Sequence, residues 1–115
     1  MQLKLFSEKI NILIFLIFLF FFFASLFLNL PAIHNGFLCA DQAVYLAMTQ
    51  SIALDGDLEY TRKDLARYYY SFDAGPQGIF LKKGKDGRIF YAKSFAYSLF
   101  AAPFVRYLGV NGFLV

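Results

Sequence analysis

Residues 10–30 read INILIFLIFLFFFFASLFLNL, a run broken only by the polar side chains Asn11, Ser25 and Asn29. Wound as a helix at about 1.5 Å per residue, it is roughly 30 Å long, the thickness of a bilayer's hydrocarbon core. Leu, Ile and Phe each favour the bilayer centre by about 0.3–0.6 kcal/mol, so the run predicts stable insertion even with the two Asn residues counted against it. The expectation is a transmembrane helix over 10–30. Lys4 and Lys9 precede it, and short flanking tails rich in Lys or Arg stay on the cytoplasmic side. Residues 1–9 are therefore read as a cytoplasmic tail, and the chain beyond Pro31 as extracytoplasmic, at the inner (plasma) membrane. A cleaved signal peptide fits less well. Its apolar region usually covers about 7–15 residues, and no small-x-small pair follows Leu30. The stretch Gly36-Phe37-Leu38-Cys39 is faintly like a lipoprotein processing site, but bulky Phe37 and Leu38 stand where small residues belong.

Composition agrees with this class. The chain is 59% hydrophobic with a mean hydropathy of +0.53, above the roughly 45–50% apolar share of soluble domains. The net charge of +3 is spread among nearly as many acids as bases, and this excludes a nucleic-acid face. Trp is absent, Phe numbers 16 and Tyr 8. Phe crowds the first apolar run while every Tyr lies beyond it, as expected for a lipid-facing helix followed by a wetter region. Cys39 is the single cysteine, so no internal disulfide staples the chain.

The segment 31–93 is read as an extracytoplasmic loop. Pro31 ends the membrane helix and Asn35-Gly36 marks a turn. Asp41 opens an amphipathic helix over 41–55, with Val44, Tyr45, Met48 and Ile52 on one stripe and Gly56 as its stop. The polar stretch after Gly56 is irregular with at most one short helix, and Tyr68, Tyr69, Tyr70 and Phe72 cluster within it. Two β-favouring runs around Gly84 and Asp86-Gly87 predict a β-hairpin over 78–92. About sixty residues are few for a free-standing domain, so this loop is expected to dock on other membrane helices. Residues 94–115 turn apolar again and read as an interfacial segment leading into a second membrane helix that is still unfinished at Val115. The fold class is thus membrane α-helical, with one N-terminal span and the truncated start of another.

The order of these parts resembles the N-terminal portion of bacterial C-type (GT-C) glycosyltransferases, polytopic enzymes related to protein mannosyltransferases and aminoarabinose transferases. The cues are an acid opening an amphipathic helix just outside the first span, then DGDLE, GKDGR and Ala102-Pro103. Such proteins are several times longer. The resemblance implies that the parent moves a sugar from a polyprenyl-phosphate donor to an extracytoplasmic lipid or glycan acceptor, and that this part alone is inactive. In that family an acidic motif in the first external loop activates the acceptor or helps hold a divalent metal. Asp41 takes the catalytic place, and Gln42 replaces the second acid, which bears directly on metal binding and on activity.

Each of these residues also has a purely structural reading. Asp41 suits a helix N-cap, a role compatible with catalysis. Asp55, Asp57 and Glu59 are spaced like oxygen ligands for a cation, but Gly56 breaks the pattern and a solvated helix end explains them better. His34 lacks partners at ligand spacing and is assigned no role. Tyr68, Tyr69 and Tyr70 suit membrane anchoring before sugar stacking. Lys82, Lys83, Lys85 and Arg88 read as a soluble hairpin tip before a lipid-phosphate site. The competing functional class is a small membrane-anchored interaction protein without catalysis, binding a partner helix or a cell-wall component. The lipid bilayer is the partner on either reading.

Overall fold

A computed structural model of the protein describes residues 2–33, 36 and 38–115, with side chains from Phe6 onward. His34 and Asn35, and with them the expected Asn35-Gly36 turn, lie outside the described residues. The chain is mostly helical, with one long apolar N-terminal helix and a small two-stranded antiparallel sheet.

Helix α1 covers Gln2–Phe27, and within it Phe6–Phe27 is long and apolar enough to cross a membrane, with a mean hydropathy of 2.8 and only 6% of the window buried. It ends before Pro31 rather than at it. Asn29 accounts for the difference. Its Oδ1 accepts the Ala32 N–H at 3.2 Å, capping a separate short helix α2 (Leu30–Ile33), in which Pro31 sits near the start, where its missing N–H costs nothing.

Helix α3 (Ala40–Leu54) forms where expected, but it is not amphipathic. Ala43, Val44, Leu46, Ala47, Met48, Thr49, Gln50, Ser51 and Ala53 are buried, around nearly its whole circumference. It is the shared wall of three apolar clusters. Ala43 and Leu46 meet Leu30, Leu38, Tyr68 and Phe72; Val44, Ala47 and Met48 meet Tyr91; Ala53 meets Ala102 and Val105. Its buried hydroxyls find acceptors within the protein, as buried polar groups must. The Thr49 hydroxyl donates to the Tyr45 carbonyl at 2.6 Å, and the Ser51 hydroxyl donates to Asp57 Oδ1 at 2.9 Å. Gly56, at φ +75°, ends the helix as its sequence suggests.

The stretch expected to be irregular with at most one short helix holds one, α4 (Arg62–Ser71). Its start is a reciprocal cap. The Lys63 N–H donates to Thr61 Oγ1 at 3.2 Å, and the Thr61 N–H donates to Asp64 Oδ2 at 2.7 Å, satisfying donors that a helix terminus leaves open. Arg67, on the same helix, pairs with Asp55 and with buried Asp64 and donates to the Gln50 carbonyl at 3.0 Å, which fastens α4 to the end of α3.

Strands β1 (Leu81–Lys83) and β2 (Ile89–Tyr91) form the expected hairpin, in register Leu81 to Tyr91, Lys82 to Phe90 and Lys83 to Ile89. The Gly84 N–H donates to the Arg88 carbonyl at 2.7 Å, and Gly87 sits at φ +84°, a conformation that glycine adopts without steric cost. On the far edge of β2, the Tyr60 N–H donates to the Ile89 carbonyl at 2.7 Å and the Tyr91 N–H to the Leu58 carbonyl at 3.2 Å. The acidic turn after α3 is thereby tied to the hairpin.

Helix α5 (Ala96–Leu108) lies along α3, burying Ser98, Ala101, Ala102 and Val105. The expectation that 110–115 continues as a membrane helix differs from the structure. Gly109 at φ +65° breaks the helix, and Gly109–Phe113 turns back as a 3-10 helix. The Asn111 side-chain amide then donates to the Leu26 and Leu28 carbonyls at 2.7 and 2.9 Å, closing the head of the molecule on the end of α1.

Candidate functional site

Asp41 stands in the first turn of α3, not at its cap. The N-cap is Cys39, which makes no side-chain capping bond, so the sequence reading of Asp41 as the cap is corrected. The local backbone explains why. Ala40 has φ +49°, left-handed for a residue with a Cβ and therefore strained. It is held there because its N–H donates to the Gln77 carbonyl at 2.7 Å, with Cys39 and Gln77 forming a parallel bridge. The chain thus enters α3 already shifted, and Asp41 points elsewhere than along the helix axis.

It points to Lys93. The Lys93 ammonium lies 2.8 Å from Asp41 Oδ1, with the Asp41 side chain 59% exposed and that of Lys93 28%. Lys93 follows directly on the hairpin, where the Ala92 N–H donates to the Phe80 carbonyl at 2.9 Å. The ammonium also sits 4.6 Å from the centre of the Phe80 ring, an attractive placement over the π face. The hydrogen bond to Asp41 pushes the Lys93 ammonium above its usual range, against an opposing loss of hydration. A carboxylate able to take a proton and a cation able to hold an anion thus share one surface, beside the positive end of α3. Sequence spacing could not have found Lys93. It joins Asp41 only because the hairpin reverses the chain.

The other singled-out residues fall differently. Tyr68 is core, not anchor. It is 1% exposed, stacks on Phe72 at 4.7 Å, accepts the Leu38 N–H at 2.9 Å and donates to the Leu38 carbonyl at 3.1 Å. Burial pushes its hydroxyl pKa up. Tyr69 and Tyr70 remain exposed. Of the acids after α3, each has its own protein partner: Asp55 meets Arg67, Glu59 meets Arg88, and Asp57 accepts from Ser51 and from the Glu59 N–H at 3.0 Å. Asp57 is therefore a clamp for the turn rather than a solvated bystander. Asp57→Ala, which strips the buried Ser51 hydroxyl of this acceptor, is expected to destabilise the protein by about 1–2 kcal/mol, read as a lower thermal midpoint by circular dichroism in detergent. Asp57→Asn keeps an oxygen for both bonds and should change little. Lys82, Lys83 and Lys85 stay exposed at the hairpin tip, while Arg88 turns to Glu59 and lies 5.4 Å from the Phe90 ring centre.

Among the described residues, no three His, Cys, Asp or Glu side chains gather as a metal set. Asp41 has Gln42 beside it and an ammonium already on its carboxylate, a donor set that does not fit a divalent cation. An open groove of about 560 Å³ runs between Glu59, Tyr60, Arg62 and Arg88, and another of about 320 Å³ lies between α3 and α5. Neither is lined by Asp41 or Lys93. Comparison with protein-family models, curated proteins and solved structures yields no match to this chain.

Proposed function

We propose that the chain is the N-terminal part of a membrane glycosyltransferase of the C type, anchored by α1 with residues 1–9 in the cytoplasm and the folded head outside. The observation that carries the reading is the Asp41–Lys93 pair at the head of α3, on a body fastened to the end of a helix long and apolar enough to span. The parent enzyme transfers a sugar from a polyprenyl-phosphate donor to a lipid or glycan hydroxyl. As the acceptor oxygen forms its bond to the anomeric carbon, its proton passes to the Asp41 carboxylate. The bond from that carbon to the donor phosphate breaks, and the electron pair leaves with the polyprenyl phosphate. Lys93, 2.8 Å from Asp41 Oδ1, holds that carboxylate in place for the acceptor. The remaining donor and acceptor contacts belong to further segments of the parent, and the head alone is inactive.

Membranes containing the parent, supplied with a radiolabelled polyprenyl-phosphate sugar, are expected to label an extracytoplasmic acceptor, and Lys93→Met to abolish most of that labelling. Unchanged labelling in Lys93→Met removes Lys93 from the reaction. The orientation has its own check. Cys39 is the single cysteine and is exposed, so a membrane-impermeant maleimide should modify it in intact spheroplasts. Modification only after lysis inverts the topology.

A further inference from the structure

The face of α5 turned away from α3 has no protein partner among the described residues, and its chemistry is that of a bilayer surface. Phe100, Phe104 and Tyr107 recur at helical spacing along it, with Phe100 78% and Tyr107 82% exposed. Leu99 and Leu108 widen the apolar strip, and α5 contains no Asp or Glu. Its single cation, Arg106, donates to the Ala53 carbonyl at 2.6 Å, so the guanidinium is held toward α3 and away from the strip. A helix of 13 residues is too short to cross the hydrocarbon, which takes about 20. Aromatic rings on a short helix instead suit the boundary between headgroups and acyl chains.

The occupant is argued from where α5 is tied. The final carbonyls of a helix lack partners within it, and Asn111 supplies one at the end of α1, donating to the Leu26 carbonyl and to that of Leu28 just beyond the helix. Gly109–Phe113 continues directly from α5, so the clasp holds the foot of α5 at the place where the apolar run of α1 ends. We infer that α5 is an interfacial helix, lying on the bilayer with its Phe100-Phe104-Tyr107 strip in the headgroup boundary, and that the Asn111 clasp sets the depth and tilt of the head relative to the span. This rests on α1 being a span and is independent of the enzymatic reading.

Because the protein has no Trp, single-Trp variants report on one place at a time. Phe100→Trp, Phe15→Trp in α1 and Tyr70→Trp on the exposed side of α4 are reconstituted in phosphatidylcholine/phosphatidylglycerol vesicles, with lipids brominated near either the glycerol or the methyl end of the acyl chain. At an interfacial depth of about 5–10 Å, Phe100→Trp should lose about half its emission to the glycerol-end bromines and little to the methyl-end ones. Phe15→Trp should respond to the methyl-end bromines, and Tyr70→Trp only to acrylamide in the water. Three outcomes overturn the inference: Phe100→Trp quenched by acrylamide alone, which leaves the strip in water; Phe100→Trp quenched by neither, which means a protein surface covers it; and Phe15→Trp untouched by lipid bromines, which removes the span itself. Asn111→Ala should shift the Phe100→Trp quenching toward one bromine depth or toward acrylamide, and an unaltered profile would deny the clasp its role.

Discussion

Asp41→Asn in the complete parent protein is expected to lower the rate of sugar transfer by about 10² to 10⁴, the usual loss when a general base is removed. Asparagine keeps the shape and one oxygen of the side chain but cannot take the acceptor's proton. The fold should barely notice, because Asp41 does not cap α3; the cap position is Cys39. Its one ion pair, with Lys93, lies at the surface, where such pairs add little to stability. A normal thermal midpoint with lost transfer therefore assigns the carboxylate to chemistry. Asp57→Asn is the control, since its amide oxygen still accepts from Ser51 and the Glu59 N–H, and it should retain transfer. Full activity in Asp41→Asn would leave the carboxylate as a surface partner of Lys93 and end the enzymatic reading. The pH dependence has a defined direction. Asp41 raises the Lys93 pKa above the ordinary lysine value of 10.5, so the pair is complete at neutral and moderately alkaline pH. It is lost only as pH rises through the raised value. Loss of transfer attributable to Lys93 should thus be centred above the ordinary lysine range, and a decline centred near neutrality would point to another group.

Gly112→Ala is the substitution expected to damage the fold most for the fewest atoms. Gly112 is buried in the 3-10 turn, and a Cβ there would fall on the Phe104 carbonyl and 2.6 Å from the Val105 nitrogen. Both obstacles are the α5 backbone, which cannot swing aside as a long side chain could. The turn must lift off α5, which also pulls Asn111 from the Leu26 and Leu28 carbonyls. Overpacking of this kind costs on the order of 3 kcal/mol, a fall of roughly 12–24 °C in the melting temperature of a head this size. Gly87→Ala separates crowding from backbone strain. Nothing lies within 4 Å of its added Cβ, yet its φ is +84°, so only the left-handed cost of about 1–2 kcal/mol applies. Circular dichroism melts of both variants in one detergent make the comparison, and a Gly112→Ala midpoint within about 2 °C of the unsubstituted chain would refute the close approach.

Elements whose signals are local were legible in the residues themselves. The long apolar run needs no partner to declare itself, because its length and composition alone decide whether it suits a bilayer. The hairpin follows from the glycines and Asp86 between two β-favouring runs, and the end of α3 from Gly56, since only particular residues take the backbone angles those places require. The Thr61 to Asp64 cap went unread, since its Asp is a less common third residue than Glu or Gln. What depended on distant parts of the chain was not legible. The stripe of Val44, Tyr45, Met48 and Ile52 gave α3 the look of a one-faced helix, and only the packing of α4, α5 and β2 around it, with partners at Tyr45 and Asp57 for its buried hydroxyls, turns it into the central wall. Tyr68 reads like its neighbours Tyr69 and Tyr70 until the Leu38 backbone arrives to bind its hydroxyl. Asp41 likewise reads as a cap until Gln77 forces Ala40 into a left-handed turn. The apolar helix, the hairpin and the stop of α3 could be read from the residues alone, because periodicity and turn chemistry act within a few residues. Tertiary structure alone decided that the acid faces Lys93 and that the last apolar stretch folds back, because hydrogen bonds and close contacts between segments more than fifty residues apart leave no periodic trace in the chain.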